Sequence, residues 1–155
     1  MRNTFGVIIV LLTCLLILPC SKDVNGADWI WYGKSNGLLL FYDTENITFL
    51  RHNINQVWTA SIPESEKGRV RHIQNERNAG LATPENWGFL KALYEIDCKN
   101  KTCTLLESTY YNIKDELIDT RTVKHPSPTH ISPGTMIEEL YKNVCGKKDT
   151  KEKER

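Results

Sequence analysis

Apolar and polar positions along most of this chain alternate in short runs separated by polar, turn-forming residues. A two-residue period is the signature of half-buried β-strands. Residues 28–32 (DWIWY) read as a first strand, 33–37 as a turn, 38–42 (LLLFY) as a second strand and 43–46 as another turn. Residues 47–51 and 56–62 then predict a hairpin around 52–55, and Pro63 ends it. Large aromatics are usually buried, so Trp29, Trp31 and Trp58 are expected in the core.

From residue 64 the period changes. Val70, Ile73 and Arg77 fall at helical spacing, which predicts a helix over 64–78 with Gly80 as its stop. A loop follows over 81–88, and strands are expected at 89–98, 103–111 and 116–123, with a turn at 112–115. Three prolines mark 125–133 as extended linker. Met136, Ile137, Leu140, Tyr141 and Val144 then repeat at i, i+3, i+4, predicting an amphipathic helix over 134–145 capped by Gly146. Many strands with two helices place the chain in the α+β class, built on an antiparallel sheet. There are no internal repeats.

The first residues do not belong to that domain. Arg2 precedes an almost wholly apolar stretch of about a dozen residues, which reads as a secretory signal over 1–26, too short for a comfortable membrane span. Cleavage after Gly26 or Ala27 meets the preference for small residues. Lipid attachment at Cys20 is the alternative, against which stands Pro19, a poor match for the small residue usual before a lipidated cysteine. Either route exports the chain, to the periplasm, the outer surface or the medium.

From Asp28 onward the acidic and basic residues balance at 18 each. The tail 147–155 holds five basic and three acidic residues and nothing apolar, so it is expected to be disordered. The domain over 28–146 is left slightly acidic. Such a domain lacks the basic footprint of a nucleic-acid binder.

Three cysteines follow the leader, Cys98, Cys103 and Cys145, and an oxidising compartment favours pairing. A bridge from Cys98 to Cys103 across the hairpin would contribute about 2 kcal/mol by loop closure, and one from Cys98 to Cys145 about 4 kcal/mol. Entropy favours the longer bridge; native geometry decides between them.

Little in the chain points to catalysis. His52, His72, His125 and His130 lack paired metal-ligand spacing, and export favours a disulfide over a Cys₃His zinc site. Cys103 with a histidine is the only sensible nucleophilic pair, and no motif surrounds either member. Ser127 and Ser132 lack an elbow sequence, and no two carboxylates stand out as a glycosidase pair. No metal or cofactor is expected. The one candidate binding patch is Lys67, Arg69, Arg71, His72 and Arg77, clustered on the first helix and suited to acidic protein segments or sulfated glycans. The glycosylation-type tripeptides at Asn46 and Asn100 are of the kind that arise by chance.

The order WIWYG, LLLFYD, SIPESEKGR, AGLATPENW, LYEIDCKNKTCTLLESTYY and ISPGTMIEELYKNVC resembles the surface-adhesin protein E family from Trp29 to Cys145. The resemblance implies an antiparallel sheet of about six strands, with the C-terminal helix on one face and tethered by a Cys98–Cys145 disulfide. Cys103 departs from the family pattern, leaving it a buried free thiol or a handle for a homodimer and keeping a Cys98–Cys103 bridge open. The function implied is an exported, non-enzymatic binding module, an adhesin for extracellular-matrix or serum glycoproteins. Its alternative is an envelope-associated structural or assembly protein without a host ligand. A membrane partner enters only through lipidation at Cys20.

Overall fold

Tight turns lock successive strands together in the computed structural model, which describes residues 26–51, 53–78 and 85–146. The leader with Cys20, His52, Gly80 and the charged tail lie outside the described residues. The strands are β1 (Trp29–Ser35), β2 (Leu38–Asp43), β3 (Thr48–Arg51), β4 (Ile54–Pro63), β5 (Trp87–Asp97), β6 (Thr102–Asn112), β7 (Leu117–Thr122) and β8 (Thr129–His130). Two helices interrupt them, α1 (Glu66–Asn78) and α2 (Met136–Cys145). One sheet runs β1-β2-β4-β5-β6-β7, a six-stranded path, with β3 beside β4 and β8 beside β6. All its pairings are antiparallel. Among the described residues no helix is long and apolar enough to cross a membrane.

Turn chemistry corrects two predicted boundaries. β1 continues through Gly33 to Ser35, because the turn is the Asn36-Gly37 pair, with φ of 51° and 80°. Asn-Gly is the preferred two-residue hairpin turn, since both positions tolerate positive φ. Likewise β4 begins at Ile54, paired with Arg51, and Asn53 takes φ 66°. Between β5 and β6 the Asp97 carboxylate accepts hydrogen bonds from the Lys99 and Asn100 amides at 2.9 Å each and from the Asn100 side chain at 2.7 Å. Those bonds hold its carboxyl below the usual carboxylate range.

Strand alternation delivers one apolar face, and both helices cover it. Under α2 lie Tyr42, Val57, Ile96, Cys103 and Ile131, packed with Leu140 and Val144 of the helix. Under α1, Ile73 joins Leu38, Leu40, Trp87 and Tyr110. The tryptophan expectation fails here. Trp87 is the fully buried one, whereas Trp31 is 58% exposed and Trp29 and Trp58 are half-buried. These three stand on the sheet's opposite face, which neither α1 nor α2 covers.

Each helix start has its own cap. Helix α1 begins at Glu66 rather than residue 64, because the Ser65 hydroxyl accepts from the Gly68 amide at 3.2 Å. A glycine is needed at 68: a Cβ there would lie 2.6 Å from the Gly37 carbonyl oxygen. Helix α2 starts after Thr135, whose hydroxyl accepts from the Glu138 amide at 3.3 Å, while Glu138 accepts from the Gly134 amide at 2.8 Å. This reciprocal arrangement is close to a capping box. Gly146 closes the helix in an ordinary right-handed conformation. The linker is not wholly irregular, since Thr129 and His130 pair with Cys103 and Thr102 as β8.

The disulfide joins Cys98 to Cys145, with 5.6 Å between the Cα atoms. Cys103 pairs opposite Ile96 and Asp97 opposite Thr102, so Cys98 lies beyond the ladder and does not face Cys103. Cys103 remains a free thiol, 8% exposed, and burial pushes its pKa up to about 11. The Tyr141 hydroxyl donates to the Cys98 carbonyl at 3.0 Å and fastens the helix at the same point.

Three stability outcomes are expected. Replacing both bridged cysteines, Cys98→Ser with Cys145→Ser, costs about 4 kcal/mol, to be read by chemical denaturation under oxidising conditions. Gly68→Ala costs about 1–3 kcal/mol in the same assay, because the obstacle is backbone and cannot turn aside. The third concerns His72, which packs 4.3 Å from the Trp87 ring and whose pKa is lowered by burial, with Glu76 opposing. A folded-state pKa below the unfolded value of about 6.5 means that unfolding takes up a proton. Stability is therefore full above pH 6.5 and falls as pH drops through that value. Melting temperatures from pH 7.5 to 5.5 should show the fall, and His72→Phe should flatten it.

Candidate interaction surface

The basic cluster of α1 is adjacent in sequence but divided in space. The Arg69 guanidinium binds both oxygens of Glu66, at 2.8 and 2.5 Å, and donates to the Glu85 carbonyl at 2.5 Å. This fork holds the Glu66 carboxyl below its ordinary range. Arg77 pairs with Glu85 at 3.0 Å, and His72 lies against Trp87. Lys67 and Arg71 remain exposed together, beside an exposed Val70. They border a shallow depression with Gln74 and Asn75.

Other sequence candidates are also tied into the fold. His125 and His130 are exposed and lie apart from the helix. Among the described residues no three His, Cys, Asp or Glu side chains gather as a metal site. Asn46 donates to the Asp43 carboxylate at 2.6 Å and Asn100 to Asp97 at 2.7 Å, both as turn residues.

A different surface emerges from strand parity. The register places Trp31, Phe41, Ala60, Lys91 and Thr109 in one row across the sheet. Phe89 and Tyr111 pair in the row on one side, their rings stacked at 4.6 Å and 5° between planes. Trp58, Leu93 and Glu107 form the row on the other. The Lys91 ammonium sits 5.2 Å from the Tyr111 ring, 5.6 Å from Trp29 and 6.0 Å from Phe89. Trp29 belongs to β1 and Lys91 to β5, so their side chains meet over the intervening β2 and β4. Cations above ring faces are attracted by the ring quadrupole. Among the described residues no carboxylate pairs with Lys91 within 4.0 Å.

The Trp29–Lys91 contact lies between two hollows. One, of about 550 Å³, is bordered by Trp29, Trp58 and Tyr111 with polar groups from Asn46, Glu107 and Thr109. The other, of about 400 Å³, is almost wholly apolar, with Phe41, Ala60, Ile62 and Phe89. Sequence reasoning missed this surface because it read each tryptophan singly as core. The signal available was parity: positions 29 and 31, 58, 60 and 62, and 89 and 91 share the face opposite the buried Tyr42, Val57 and Ile96.

Comparison with known proteins gives the same architecture. The family model for surface-adhesin protein E matches residues 29–146. A structure of Haemophilus influenzae protein E superposes with a TM-score of 0.51 at 14% identity, covering 81% of this chain and 88% of that one. Protein E from non-typeable Haemophilus influenzae gives a TM-score of 0.50 at 14% identity, covering 81% and 79%. At that identity the likeness speaks for the fold. No curated protein matches the chain in sequence. The six-stranded antiparallel sheet, the C-terminal helix tethered by Cys98–Cys145 and the family match agree, and the chain belongs to the surface-adhesin protein E family.

Proposed function

We propose that this protein is an exported, non-enzymatic adhesin that holds extracellular-matrix or serum glycoproteins on the open face of its sheet. The observation that carries this reading is the gathering of Trp29, Phe89 and Tyr111 around Lys91 on the face away from α1 and α2. Aromatic anchors beside an available charge are the residues that dominate binding energy at protein surfaces. The export step rests on the leader, with signal cleavage or lipid attachment at Cys20 as its two routes.

A binding role also fits the state of the reactive groups. Cys103 stays a thiol far above neutral pH, and His72 is packed against a ring rather than beside a nucleophile. The alternative is an envelope-associated assembly protein, and a homodimer bridged through the buried Cys103 would first have to expose that thiol.

Solid-phase binding of the purified protein to immobilised matrix and serum glycoproteins tests the proposal. Wild type should bind, Trp29→Ala with Lys91→Glu should weaken binding by about tenfold or more, and Lys67→Ala with Arg71→Ala should leave it intact. Loss only in the Lys67 and Arg71 variant would move the site to α1. No binding by wild type would defeat the adhesin reading.

A further inference from the structure

The two hollows on the open face differ in chemistry, and the difference selects a ligand. We infer that the larger one is a binding site for a neutral sugar unit, of the hexose or N-acetylhexosamine class, carried on a glycan. The inference rests on the adhesin reading and names the part of the partner that is recognised.

A pyranose ring has two demands. Its C–H face is apolar and lies well on an aromatic ring, while its hydroxyls both donate and accept and are costly to bury unpaired. The larger hollow meets both. Trp58 stands on β4, inside the sheet, with Trp29 towards one edge and Tyr111 towards the other, so aromatic residues border the hollow on three sides. Between the rings stand acceptors and donors from separate segments. Glu107 and Thr109 come from β6, Asn46 and Thr48 from the β2–β3 connection and strand, and Lys91 from β5. A volume of about 550 Å³ lies within the usual range for small-ligand sites.

Charge argues for a neutral sugar. Among the described residues Lys91 is the one cation at this hollow, and Glu107 and Asp43 also border it. Asp43 is occupied: its carboxylate accepts from the Asp28 and Glu45 amides at 3.2 and 3.0 Å and from Asn46 at 2.6 Å. A uronate or sulfate would therefore meet no net positive field, whereas hydroxyls find Glu107 as acceptor and Lys91 as donor. The smaller hollow is floored by apolar Phe41, Ala60, Ile62 and Phe89, with only Lys91 and Asp115 to meet hydroxyls, and so suits a sugar less well. The exposed Lys67 and Arg71 of α1 have no comparable ring floor.

Binding to a panel of neutral and acidic glycans, followed by tryptophan fluorescence, tests the site. Trp58→Ala and Glu107→Ala should each weaken neutral-glycan binding by about tenfold, the size of one lost well-made contact. Trp58→Phe should recover part of it, and Lys67→Ala should change nothing. Thermal melts confirm that each variant is folded. Binding confined to acidic glycans, or unchanged in Trp58→Ala, overturns the inference, as does a dimer that buries Trp58. Native and enzymatically deglycosylated matrix glycoproteins separate the two readings. Equal binding to both forms removes the sugar site and leaves the adhesin standing; binding to neither removes both.

Discussion

A ten-residue helix has little stability of its own in water, so α2 owes its existence to what it is fastened against. Leu140 is fully buried and Val144 nearly so, and both share one buried cluster with Tyr42, Val57 and Ile96 from three different strands. At the far end the Cys98–Cys145 bridge and the Tyr141 hydroxyl hold the same turn of helix to the end of β5. Packing supplies the favourable burial, and the bridge lowers the entropy of the unfolded chain. The two act on different states, so neither replaces the other. Seating α2 on this face also decides which face is left open.

Much of this was legible from residue order. Both helices and the strand sequence followed from hydrophobic period, and the preference for the long cysteine loop followed from chain entropy before geometry was known. Boundaries moved where local chemistry competes with pattern, as at Asn36-Gly37 and at Ser65. The β8 pairing escaped because two residues between prolines carry no periodic signal.

The candidate site was far less legible, and the reason is geometric. Lys67, Arg69, Arg71, His72 and Arg77 look like one patch because a count along the chain ignores partners. Glu66 is three residues from Arg69, and Glu85 approaches only through the fold. The open-face surface fails in the opposite way. Trp29, Trp58, Lys91 and Tyr111 come from four strands, and only the register brings them onto one face. Residue type alone then misleads, since a tryptophan on a strand can serve either face of the sheet.

A lysine amid aromatic rings has a consequence for what can cover them. Had position 91 been apolar, the row from Trp31 to Ala60 would form a broad dry face, open to stacking with another sheet. An ammonium there changes the balance, because a dry partner would strip its water and return no acceptor. The ring contacts offset only part of that loss, while the aliphatic stem still covers apolar surface below. Partners for this face must therefore bring oxygen atoms as well as apolar area. On the proposed reading, the same constraint would favour ligands that carry both, and a hydroxylated ring is one of the smallest that does.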